Sequence, residues 1–251
     1  MTRDWLLGVA LVAVVIATVL SPPIPQDPGY HSFADQRTLV GIPNALNVLS
    51  NLPFAFVGIA GLAVTFRRST RFNFPWERWP YAALFAGTAL TAVGSSYYHL
   101  APDNARLVWD RLPMTIGFMG FLAATVGERI GVRPARLLFV PALMFGTASV
   151  FHWHWTEVTG AGDLRWYALV QFGSLIAIAL LLAMYDPTYT RTSLIVAGLA
   201  AYSLAKVFEL GDHAIFNAGR IISGHALKHL SAAAGVAFLV SALSRRRSIG
   251  W

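Results

Sequence analysis

Two short patterns in this 251-residue sequence carry ligand chemistry. His225 and His229 stand four apart in SGHALKHL. Ser95 and His99 stand four apart in GSSYYHL, and Asp110 follows His99 by eleven residues. Four residues on a helix bring two side chains to one face, about 6 Å apart along the axis. His99, His225 and His229 would supply three neutral imidazoles and leave a fourth position open, the arrangement of a catalytic zinc site. Zinc lowers the pKa of bound water to about 7 and so yields a nucleophile at neutral pH. Asp110 would accept the water's proton and pass it to a leaving group. Ser95, one turn before His99, would donate a hydrogen bond to a developing oxyanion. Ligand type alone leaves iron and manganese open.

Each residue also has a plainer reading. A lone histidine near a helix end is usually an interfacial or hydrogen-bonded group, and that is the reading for His31, His152, His154 and His213. The run HWHW at 152–155 reads as an interfacial aromatic belt, and its two histidines, two apart, share no helical face. Asp110 beside Arg111 fits a surface ion pair at a helix start. Ser95 fits a bond back to a carbonyl of its own helix. Taken together, a His-x-x-x-His pair, a third histidine and an aspartate favour a metal.

The elements that must position them are membrane helices. The chain is 56% hydrophobic and 12% charged, with a mean hydropathy of +0.56, against roughly 25% charged residues in an ordinary soluble domain. Apolar runs of spanning length predict eight helices near 5–20, 43–66, 80–100, 109–127, 135–152, 165–184, 192–209 and 221–243. The first run is read as a retained span, because SPPIPQDPGYH does not resemble a signal-peptide cleavage site. With eight spans, every arginine cluster falls on one side: Arg3; Arg67, Arg68, Arg71 and Arg78; Arg129, Arg133 and Arg136; Arg191; and Arg245, Arg246 and Arg247. The positive-inside rule then places both termini in the cytoplasm. It also brings His99, Asp110, His225 and His229 to similar depth near the opposite, non-cytoplasmic face. The net charge of +7 is thus a topology signal, and no nucleic-acid partner is expected. The absence of cysteine excludes thiol nucleophiles, thiolate ligands and disulfides.

The pattern Ser95, His99, Asp110, His225 and His229, in this order and in these spans, resembles the alkaline ceramidase family. That family belongs to a superfamily of seven-helix membrane hydrolases that includes the adiponectin-receptor-like proteins. The stretch NALNVLSNLPF (44–54), with Asn47, Ser50 and Asn51, looks like the ceramidase first core helix. The resemblance implies an all-α membrane bundle. Residues 1–40 would be an added span and extracytoplasmic loop, 41–245 the seven-helix catalytic core, and 246–251 a basic cytoplasmic tail. It implies a zinc amidase that cleaves a ceramide-like membrane lipid to a long-chain amine and a fatty acid. His99, His225 and His229 would hold zinc, Asp110 would handle the water's protons and Ser95 would stabilise the oxyanion. One departure concerns calcium: the family's acidic segment and a Glu at the position of Asn44 are missing. Asp35 stands with a cation, Arg37, so no calcium site, or only a weak one, is expected. The alternatives are a receptor or sensor with a structural zinc, and a transporter or proton relay. The second fits poorly, since the titratable groups cluster at one end and no internal repeat is visible.

Overall fold

The computed structural model describes residues 3–249, and it is all-helical, with two isolated bridges and no strand among the described residues. The helices are α1 (Arg3–Leu20), α2 (Ala45–Leu49), α3 (Leu52–Phe66), α4 (Arg78–Leu100), α5 (Asn104–Arg129), α6 (Val132–Val158), α7 (Arg165–Ala168), α8 (Ser174–Met184), α9 (Thr192–Leu210), α10 (Asp212–Gly219) and α11 (Gly224–Arg245). Residues Leu169–Gly173 form a π turn that joins α7 and α8 into one rod.

Among the described residues, six segments are long and apolar enough to cross a membrane: Arg3–Leu20, Ala45–Phe66, Val132–Val158, Arg165–Met184, Thr192–Leu210 and Gly224–Arg245. The other two expected spans, α4 and α5, are 23 and 26 residues long but are less apolar. The reason is position. Both run through the middle of the bundle, and their inward faces carry buried polar residues: Thr88, Thr91, Ser95 and His99 on α4, and Asp110, Arg111 and Thr115 on α5. Lipid never solvates those faces, so they need not be apolar. Outside, large apolar side chains such as Phe56, Leu137 and Met144 are exposed.

The expected span 43–66 is broken. Pro53 has no N–H to donate to Leu49, and its ring would crowd that carbonyl. The helix therefore stops at Leu49 and restarts at Leu52. The break holds Ser50 and Asn51, both buried. Three short elements were not expected: α10, the 3-10 turn Pro28–His31 in the long first loop, and the 3-10 turn Pro75–Glu77 before α4.

Close approach of α4 and α5 sets the centre. Pro113 leaves the Trp109 carbonyl without an i+4 donor. Gly94 sits against that carbonyl, where an added Cβ would lie 1.9 Å from the oxygen. Only glycine permits this approach, and it brings the next residue, Ser95, beside Asp110. Gly87 and Gly120 allow the same closeness further along, since a Cβ on either would meet backbone at 2.6 Å.

The loops gather at two ends. At one, Arg3 pairs with Asp186, Arg246 donates to the Arg71 carbonyl, and Arg129 donates to the Tyr185 carbonyl and to Thr192. At the other, Gln26 bonds Glu157, Ala34 bonds Asp212, and Arg37 bonds the carbonyls of Arg220 and Ile221. The histidines lie at this second end. Arg3 and Arg246 share the first end, as the arginine pattern requires.

Candidate metal centre and its cavity

His99 comes from the last turn of α4, and His225 and His229 from the first two turns of α11. Each helix is placed by local chemistry. Ser223 caps α11 by accepting from the Ala226 N–H at 3.1 Å. Gly224 lets α11 press against the α9–α10 junction, where a Cβ would lie 2.2 Å from the Phe208 carbonyl oxygen. Asp212, at the start of α10, accepts from the His225 N–H at 2.7 Å and from the Ala34 N–H at 2.9 Å. It therefore ties the first loop to the ligand helix.

The three imidazoles converge. Their ring centroids are 4.8–5.0 Å apart, and one nitrogen from each lies within 4.8 Å of the others. The Nε2 atoms of His99 and His225 are 3.2 Å apart. A tetrahedral zinc with nitrogens at about 2.0–2.1 Å sets its ligands roughly 3.3 Å from one another. All three rings are buried. Nδ1 of His229 bonds the Ser50 hydroxyl at 2.8 Å, which turns Nε2 toward the other two rings, as a second-shell partner does at a metal. Nδ1 of His99 is buried without a partner among the described residues. His99, His225 and His229 thus form a buried group that can hold a metal ion; the donors fit zinc and do not single it out.

The first loop covers this group. Phe33 lies with its centroid 4.7 Å from His99 and 4.4 Å from His225. Asp35 anchors the loop through Arg37, whose Nε and Nη2 each donate to a different Asp35 oxygen at 2.8 Å. The guanidinium holds the Asp35 carboxyl below the usual carboxylate range. Asn47 donates to the Asp35 carbonyl at 3.1 Å, and Asn44 to the His99 carbonyl at 2.9 Å.

Beside the histidines a cavity of about 280 Å³ opens. His229, Ser95 and Asp110 line its polar end, and the Ser95 hydroxyl lies beside the Asp110 carboxyl. Lys228, Lys206, Glu209, Arg111 and Tyr30 share that end. Apolar side chains line the rest, among them Leu84, Phe118, Phe121, Leu199, Val236 and Leu239. His229 and Leu239 stand ten residues apart on α11, so the cavity follows the helix for about 15 Å. It passes between the α8 rod, which leans on α5, and α9, which leans on α11.

The five residues singled out in the sequence fall into two groups joined at His229: His99, His225 and His229 converge, and Ser95 and Asp110 line the cavity with His229. Asp110 is not a surface ion pair: it is buried, and among the described residues Arg111 forms no salt bridge with it. The Arg111 guanidinium lies 4.1 Å from the Trp153 ring centroid and 4.6 Å from that of Tyr167, and Nη2 donates to Gln26 at 2.7 Å. The HWHW run is therefore more than an interfacial belt: it lies within α6, and Trp153 is fully buried against Arg111. His31, His152, His154 and His213 stay outside the triad. His31 bridges the Tyr98 hydroxyl at 2.8 Å and Asn104 at 3.0 Å, and His213 bonds the Ser32 carbonyl at 3.1 Å. Sequence reading missed Asp212, Phe33 and the Lys206–Glu209–Lys228 group. The lysines were detectable, since both stand inside apolar runs. No family model matches this chain, and no curated protein does either.

Proposed function

We propose that the chain is a zinc-dependent membrane amidase that hydrolyses a long-chain N-acyl lipid. The observation that carries this reading is the placement of three convergent imidazoles, Asp110 and Ser95 at one end of an apolar cavity inside an apolar bundle. The cavity's length suits an acyl chain, and its seam between the α8 rod and α9 faces where lipid would be. The bundle spans the bilayer eight times, as a seven-helix core with α1 added, with both termini cytoplasmic and the centre toward the opposite face. The resemblance to the alkaline ceramidases supports the same class of reaction, with a ceramide-like lipid as substrate.

His99, His225 and His229 would hold the zinc, and Ser50 keeps His229 in the tautomer that presents Nε2. A zinc ion bound there activates water and polarises the substrate carbonyl. Asp110 takes the proton from the attacking water and returns it to the amide nitrogen as the C–N bond breaks. The water oxygen stays on the acyl carbon, and the products are a fatty acid and an amine. Ser95 donates toward the carbonyl oxygen as negative charge develops on it. Phe33 and the first loop keep bulk water off the histidines.

The test is purification of the whole chain in detergent, metal analysis, and product analysis on a panel of N-acyl lipids with and without a chelator. About one zinc per chain and chelator-sensitive release of fatty acid are expected. Protein without stoichiometric metal, or full activity in Asp110→Asn, would sink the reading.

A further inference from the structure

The polar end of the cavity holds more positive than negative charge. Three cations line it, Arg111, Lys206 and Lys228, against two carboxylates, Asp110 and Glu209. Glu209 is shared. It accepts from Lys228 at 3.1 Å and pairs with Lys206 one turn before it on α9. Arg111 has no carboxylate partner among the described residues. Asp110 is claimed by the proton chemistry above. A bound divalent metal on three neutral imidazoles would add to the surplus. An uncompensated cation in a poorly solvated site is costly, and such charges are kept where something anionic completes them.

The lysines stand where a head group would lie. Lys228 is next to His229 and lines the cavity together with Asp110. Lys206 is in the last turns of α9, at the same end, and its ammonium lies 5.6 Å from the Phe172 ring centroid on the π turn. The Lys206 ammonium thus lies on the seam between α9 and the α8 rod, and Lys228, joined to it through Glu209, lines the same cavity beside His229, while the apolar walls run away toward Leu239. An acyl chain laid along those walls leaves the amine side of the amide among the lysines.

We propose that the substrate is an anionic long-chain amide, with a carboxylate on the amine side as in an N-acyl amino acid, and that Lys206 and Lys228 bind that carboxylate. This rests on the amidase reading for the scissile bond. The binding of the anion does not. Ion-paired contacts of this kind are the stronger class of hydrogen bond.

The experiment uses the whole chain in detergent with N-lauroylglycine and N-lauroylethanolamine, which share an acyl chain and differ by the carboxylate. Binding is measured by calorimetry on Asp110→Asn protein, and kcat/KM on the wild type. The glycine amide should bind and react at least about tenfold better, the effect of one good charge-assisted contact. Lys206→Gln and Lys228→Gln should each cut that preference about tenfold, mainly through KM. Glu209→Gln, which frees both ammoniums, should raise it, so a simple loss of the α9–α11 staple cannot imitate the pattern. Selective anion binding without turnover of either amide would uphold this inference and overturn the amidase. Turnover with equal preference, or a preference that both lysine variants leave intact, would overturn this inference and leave the amidase standing. Binding of neither amide would also overturn it.

Discussion

At the arginine-rich end, Arg246 is buried among partners: it pairs with Glu128, donates to the Arg71 carbonyl at 2.9 Å, and lies over the rings of Tyr189, Tyr81 and Phe72. Glu128 also accepts from the Tyr81 hydroxyl at 2.6 Å, and Glu77 from the Tyr189 hydroxyl. Most polar atoms there are satisfied within the protein; among the described residues Arg246 Nη2, 4.0 Å from Glu77, and Arg78 Nε stand without a hydrogen-bond partner. At the histidine end, equally buried groups are left open. Nδ1 of His99 and Oδ1 of Asn51 have no partner among the described residues, and cations outnumber carboxylates around the cavity. A polar cluster that closes on itself holds helices together. One that stays incomplete is built for something from outside.

The largest expected difference is functional. His99→Ala or His225→Ala should abolish stoichiometric zinc and reduce hydrolysis to background, while the purified chain keeps its helical circular dichroism and elution volume. Asp110→Asn should keep the metal and lower kcat by about 10²–10⁴-fold, the range for one acid–base group. Unfolding of the histidine variants with metal absent from every sample would make the triad a structural staple and break the contrast. At the other end the order reverses. Arg246→Met strands Glu128 in the interior and should cost about 3–5 kcal/mol of stability, as breaking a buried pair does. Thermal unfolding in detergent should detect this as a large fall in Tm, with zinc content per folded chain unchanged.

That asymmetry was only half legible in the sequence. The histidine spacing and the arginine alternation gave the three histidines that converge and their place at one end of the bundle, because helical periodicity and topology are written locally. The Arg246 cluster read as a basic tail, since nothing in SRRRS distinguishes a solvated arginine from one folded back under Tyr189. Asp212 likewise looked like an ordinary loop acid. Its role depends on Gly224 letting α11 approach, a contact between helices that no local pattern encodes. The break at Ser50 was inferable from Pro53, but hydropathy smoothed over it. The polarity of α4 and α5 is the reverse case. They were expected as apolar runs of spanning length, and their lower hydropathy reflects the buried polar residues on their inward faces.

A smaller effect sharpens the contrast within the histidine end. Ser50→Ala removes the hydroxyl that bonds His229 Nδ1 at 2.8 Å and leaves the ring in place beside the Asn47 backbone. Zinc affinity should fall about 10–100-fold, measured by competition with a chelating dye, with little change in Tm of the metal-free chain. An unchanged affinity would mean that Ser50 fills space and does not set the tautomer.

The smallest effect lies in the loop that covers the centre, and it depends on pH. Arg37 holds the Asp35 carboxyl below its usual 3.8, so folding favours the charged form. Such a group contributes its full stability above the unfolded pKa and loses it as pH falls through the folded one. Asp35→Asn should therefore lower Tm by a few degrees at pH 7. The gap to the wild type should hold down to about pH 5 and close below about pH 4 as the wild-type carboxylate takes up its proton. Substitution at Arg37 with Met should remove the same pH-dependent part, because the guanidinium is its cause. A gap that stays constant to pH 3 in both variants would mean that Asp35 acts through packing alone. The loop would then be held over the histidines by Phe33 and by the Ala34–Asp212 bond, and not by charge.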